Sequence, residues 1–189
     1  MAKTIVIGVG NVLFKDEGVG VYAARYLEAN YRFSQPLEVM DGATLGFKLM
    51  TYFQEYDHVI LIDTVSIEDT PGSIYRLPAQ ELLGLGAYRK TAHEVEVVEM
   101  LEICSLLDKI AEVTILGIVP QDIETVEIGL TPQIEANLPE LVEHTVKELA
   151  GLGIDATPID QQQSLETLVR EFMGTYNPFS SQTQPSNLS

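Results

Sequence analysis

The chain has 189 residues, 46% of them hydrophobic, which suffices for one domain to bury a sizeable core. Its 11 basic residues against 28 acidic ones give a formal charge of −17, a balance that repels a phosphate backbone and excludes nucleic acid as an expected partner. A single cysteine leaves no internal disulfide, and the opening MAKTIVIGVGN has neither the charged lead-in nor the cleavage site of a signal peptide, so a cytoplasmic setting is expected.

Residues 4 to 9 (TIVIGV) are a β-branched run without polar alternation, the pattern of a central parallel strand covered on both faces. Gly10-Asn11 interrupts this apolar opening well short of the roughly 20 residues that a bilayer span needs, so no membrane segment is expected. Asp16 reads as an N-cap for a helix to Asn30, with Val19, Ala23 and Leu27 at helical spacing. A second strand at 37 to 41 (LEVMD) enters a glycine-spaced loop and a short helix near 45 to 55, and a third strand follows as DHVILID, 57 to 63.

Pro71-Gly72 marks a turn, and the short alternating SIYRL at 73 to 77 suits an antiparallel edge strand. Thr91 and Glu94 have capping-box spacing ahead of a helix to about Asp108, with Cys104 on its core face. VTILGIV, 113 to 119, is a further buried strand, and Thr131-Pro132 opens a long helix to Leu149 that Gly151 and Gly153 stop. The alternation predicts an α/β three-layer sandwich: a mostly parallel twisted sheet of about five strands, one antiparallel edge strand, and helices on both faces. A domain over 1–158 is expected, followed by a polar extension over 159–189 with a short helix at about 164–173 and fifteen disordered residues at the end.

Loops at the carboxyl ends of the strands are where such a sheet carries chemistry. Glu17 starts the first helix, where free N–H groups and the helix dipole favour a charged carboxylate. Asp63 ends an apolar strand and so emerges at that edge. His93 lies in the first turn of the capped helix, where the dipole keeps the imidazole neutral and able to coordinate. Each alone also fits an ordinary first-turn, turn-capping or structural role. Together they form an oxygen, oxygen, nitrogen set suited to a borderline divalent metal such as nickel or zinc, provided that the first, third and later strands are neighbours.

Other signatures fail. There is no G-x-S-x-G elbow, the position four residues after His93 is Val97 rather than a second histidine, and Asp63-Thr64-Val65 is an imperfect, unrepeated aspartic-protease triplet. The GVGNVL turn suggests a dinucleotide fold, but its third glycine position is Leu13.

GVGNVLFKDEGVG (8 to 20), DHVILIDTV (57 to 65), His93 and IGLTP (128 to 132), in this order, resemble the nickel-iron hydrogenase maturation endopeptidases over roughly residues 3 to 158. The resemblance implies that Glu17, Asp63 and His93 are metal ligands. It also implies that Asp41, Gly42, Thr44 and Gly46 belong to a substrate-recognition loop, in which Ala43 replaces the family's second glycine. The implied activity is removal of the C-terminal extension from a nickel-iron hydrogenase large-subunit precursor after nickel insertion, by a monomer. The nickel is then supplied by the substrate, with zinc or cadmium able to substitute in vitro, and Asp41 or Asp63 handles protons. A non-catalytic nickel-binding assembly chaperone and a dinucleotide-binding oxidoreductase are the alternatives.

Overall fold

The computed structural model describes residues 2–43, 46–79 and 110–175. Among these, five strands form one sheet in the order β3-β1-β4-β6-β5: β1 Thr4–Val9, β3 Glu38–Ala43, β4 His58–Thr64, β5 Ile74–Pro78 and β6 Glu112–Ile118. The first four in that order run parallel, and β5 pairs antiparallel with β6 at the edge. This is the expected mixed sheet, and it makes β1, β4 and β6 neighbours. The central strands earn their places by composition, for β1 is buried throughout and β4 and β6 after their first residue.

Alternation along β4 assigns the two faces. Ile60 and Ile62 pack with Val6, Leu116 and Ile118 beneath helices α1 (Val19–Asn30) and α3 (Pro132–Gly151). Val59 and Leu61 pack with Ile5, Ile7 and Ile115 beneath helix α2 (Leu49–Glu55), through Leu49 and Phe53. Helices therefore cover both faces, as predicted. No helix of the described residues is long and apolar enough to cross a membrane.

One feature, a ribbon of two short strands, was not anticipated, and the expected helix of the extension takes a definite place. Strand β2 (Tyr31–Phe33) pairs antiparallel with β7 (Ala156–Pro158), forming a small second sheet that ties the end of α1 to the chain beyond α3. The helix in the extension, α4 (Leu165–Thr175), lies on the α1 side: Leu168 is buried, and the Phe172 ring meets Tyr22 edge to face at 5.2 Å. The expected helix from Thr91 to Asp108, Cys104, and the expected disordered tail beyond residue 175 lie outside the described residues.

Asp16 requires a correction, because it caps no helix. The N-cap of α1 is Gly18, without a side-chain cap, and a one-turn 3₁₀ helix at Lys15–Gly18 precedes it. The Asp16 carboxylate is fully buried and turned toward a distant part of the chain. Likewise Thr131 stands at the N-cap of α3, ahead of proline, but its hydroxyl makes no cap bond, being committed to Asp16.

Candidate active site at the carboxyl edge of the sheet

The chain leaves β1 through Gly10, whose φ of +132° suits a residue without a side chain. A Cβ there would lie 1.9 Å from the backbone oxygen of Glu17, so this glycine admits the returning chain rather than a pyrophosphate. One turn further on, a Cβ at Gly20 would lie 2.0 Å from the Ile62 oxygen and 2.4 Å from the Val9 oxygen. Two glycines thus let the start of α1 settle directly onto the ends of β1 and β4.

The short helix that carries Glu17 touches β4 as a result. Glu17 is half-buried in that turn. Asp63, the penultimate residue of β4, is 6% exposed, and its Oδ1 accepts the Thr64 N–H at 2.7 Å. It stands in register with Gly117 of β6 and shares the side of Val59 and Leu61, the α2 face. The structure therefore brings the elements bearing Glu17 and Asp63 to one rim.

The neighbouring loop belongs to the same rim, since the Gly10 N–H donates to the Ala43 oxygen at 3.1 Å. Asp41 Oδ1 accepts the Ala43 N–H at 3.0 Å, and its Oδ2 lies 3.6 Å from Arg25 of α1. Register pairs Asp41 with Gly8 and Gly8 with Ile62, so Asp41 belongs to the α1 face, opposite to Asp63. The pairing slips at Gly42, which is skipped between Gly8–Asp41 and Val9–Ala43. Ala43 holds φ at +35° and Gly46 at +53°, so the alanine takes the left-handed conformation that glycine would adopt more easily.

Of the other expected residues, Thr44 and His93 lie outside the described ones. Among the described residues no three metal-binding side chains converge, and two of the three expected ligands are described. His58 is placed far from the rim: it begins β4 at the opposite edge, 3.4 Å from Glu112.

The residue that sequence reasoning misread is Asp16. Its Oδ1 accepts the Thr131 N–H at 2.7 Å. Its Oδ2 accepts the N–H groups of Gln121 at 3.0 Å and Asp122 at 2.9 Å, and the Thr131 hydroxyl at 2.9 Å. Only the tertiary fold reveals this, because an acid just before a helix looks the same in sequence whether or not it caps.

Comparison with known proteins places the chain among relatives. The family model described as HycI, hydrogenase maturation protease, matches residues 21–148, a stretch that includes Asp63 and His93 and starts just after Glu17. The hydrogenase 2 maturation protease of Escherichia coli is 30% identical over 158 residues, covering 82% of this chain and 96% of that protein. The structure of the hydrogenase maturating endopeptidase HybD from E. coli superimposes with a TM-score of 0.76 at 30% identity, covering 82% of this chain and 97% of that one. The [NiFe] hydrogenase maturation protease HybD from Thermococcus kodakarensis gives 0.63 at 26% identity, covering 77% and 98%. This chain belongs to the hydrogenase maturation protease family and is an endopeptidase, a hydrolase of peptide bonds.

Proposed function

We propose that this endopeptidase removes the C-terminal extension of a nickel-iron hydrogenase large-subunit precursor once nickel has been inserted, and that it recognises the inserted nickel. Glu17, Asp63 and His93 grip the precursor's own metal, so that metal insertion is the condition for cleavage. The observation that carries this reading is the meeting of the Glu17 turn with the Asp63 end of β4 at the carboxyl rim, produced by Gly10 and Gly20. Two carboxylates and one imidazole are a donor set for a borderline divalent ion, and they leave a position open for the substrate.

Held by Glu17, Asp63 and His93 beside the scissile bond, the precursor's metal would supply polarisation of the carbonyl or activation of a water, with a nearby carboxylate to take up the proton. Asp41 serves recognition in this reading rather than proton transfer, because its carboxylate faces Arg25 on the α1 side of the sheet. With Gly42, Thr44 and Gly46 it shapes the loop that meets the precursor.

The test compares nickel-loaded with nickel-free precursor, following the mass of the large subunit over time. Shortening of the loaded form alone is expected. Equal shortening of both would refute recognition through the metal. Glu17→Gln, Asp63→Asn and His93→Ala should each stop the reaction in protein whose circular dichroism is unchanged.

A further inference from the structure

We propose that Asp16 is a positioning residue of the hydrolytic site: its buried carboxylate fixes the turn that presents Glu17. The inference rests on the reading of Glu17 as a group that grips the precursor's metal.

Asp16 is 0% exposed and directly precedes Glu17 in the chain. Its two oxygens accept hydrogen bonds from the backbone at 121, 122 and 131 and from the Thr131 hydroxyl, all between 2.7 and 3.0 Å. These donors come from two places, the turn after β6 and the first residue before α3. One side chain therefore bolts the Glu17 turn to two elements more than a hundred residues away in the chain.

The backbone around Asp16 reinforces this placement. The Asp16 N–H donates to the Asp122 oxygen at 3.0 Å, the Lys15 N–H to the Glu127 oxygen at 3.0 Å, and the Glu17 N–H to the Phe14 oxygen at 3.0 Å. Lys15 Nζ also lies 2.9 Å from Glu127 Oε1. The turn is thus held by the 121–131 loop, and its Glu17 carbonyl oxygen passes so close to Gly10 that no side chain fits there.

Geometry of this kind governs both how well Glu17 grips the precursor's metal and how well the scissile bond is placed. A misplacement of about 1 Å in a catalytic group costs on the order of 100-fold in rate. An asparagine at position 16 has the same shape and keeps one accepting oxygen, but its amide nitrogen is a donor and cannot accept, so on one side of the group an N–H such as that of Thr131 meets another donor. Loss of that bond, with the donor–donor contact in its place, loosens the turn without touching the substrate.

The experiment measures kcat and KM for processing of nickel-loaded precursor by full-length wild type, Asp16→Asn, Thr131→Val and Glu17→Gln. Circular dichroism melts establish a temperature at which each protein is folded. At that temperature Asp16→Asn should lose on the order of 100-fold in kcat/KM, with KM raised, whereas a smaller folded fraction would lower kcat alone. A purely structural role predicts a deficit that follows the unfolded fraction and vanishes on cooling.

Wild-type kcat/KM in folded Asp16→Asn would overturn the proposal. If Asp16→Asn does not fold, Thr131→Val decides, since it removes one donor and leaves the carboxylate in place. A loss of about threefold to tenfold in kcat/KM supports the proposal, and wild-type kcat/KM refutes it. An active Glu17→Gln enzyme would instead sink the reading of Glu17, so the two failures are distinguishable.

Discussion

Replacing Gly20 by alanine sets two effects of opposite sign against each other. Alanine is the better helix former by about 1 kcal/mol, and position 20 lies in the first turn of α1, so local propensity alone predicts a more stable protein. The fold predicts the reverse. The new Cβ would stand 2.0 Å from the Ile62 oxygen and 2.4 Å from the Val9 oxygen. Ordinary carbon contacts are about 3.5 Å or more, so α1 must lift by about 1.5 Å at this end. Both obstacles are backbone atoms of central strands and cannot turn aside. Overpacking of this kind costs about 1–3 kcal/mol, and lifting the helix also loosens Val19, Ala23 and Leu27, all fully buried.

With the gain of about 1 kcal/mol in propensity subtracted, the net expectation is a loss of up to about 2 kcal/mol, or roughly 2–4 °C in Tm for each kcal/mol. Urea unfolding followed by circular dichroism measures it as a lower midpoint at unchanged slope. The same displacement carries the Glu17 turn away from β4, so processing should fall even where the variant is fully folded. A midpoint equal to or above that of the wild type would refute the close approach of α1 to the sheet.

Other substitutions probe other parts of the molecule. Ala43→Gly relieves a left-handed backbone costing about 1 kcal/mol, against an entropic penalty for glycine of about 0.5–1 kcal/mol, so stability should be unchanged or slightly higher. A calorimetric loss above about 1 kcal/mol would contradict the positive φ. Arg76 grips the half-buried Glu148 through two bonds, of 2.6 and 2.8 Å, and holds its carboxyl below the usual glutamate range. A lowered folded-state pKa stabilises above the unfolded value and is lost as pH falls, so Arg76→Ala should cost about 0.5–1 kcal/mol at neutral pH and progressively less as pH falls through the lowered folded-state pKa. A cost independent of pH in urea titrations would exclude the ion pair as its cause. Phe172→Ala removes the ring seated on Tyr22 and beside Arg25, and should free α4 while the sheet stays intact. Limited proteolysis should then cut near residues 165–175 first, whereas cutting that tracks global unfolding would argue against a separately docked helix.

The parts of the fold legible in the sequence are those whose physics is local. TIVIGV and VILID are apolar without alternation because helices cover both faces of β1 and β4, and SIYRL alternates because β5 is an edge. The β2–β7 ribbon was not legible, since YRF and ATP are three residues each and owe their pairing to a fold that brings distant segments together. At the site, the appearance of Glu17 and Asp63 at one rim followed from where turns and strand ends must lie. The facing of Asp41 toward Arg25 did not, because it depends on the register and its slip at Gly42. Asp16 was misread for a related reason: its partners lie more than a hundred residues away.

The seam beside that ribbon bears on how the protein is made. Asn30 exchanges two hydrogen bonds with the backbone of Gln163, 133 residues later, and the Ile159 N–H donates to the Asn30 oxygen. A nascent chain emerging from the ribosome cannot satisfy Asn30, buried in the finished protein, until nearly all of the described residues have been synthesised. Translation stalled before residue 159 would leave that polar side chain and the end of α1 uncovered, a surface for chaperones to hold or proteases to clear.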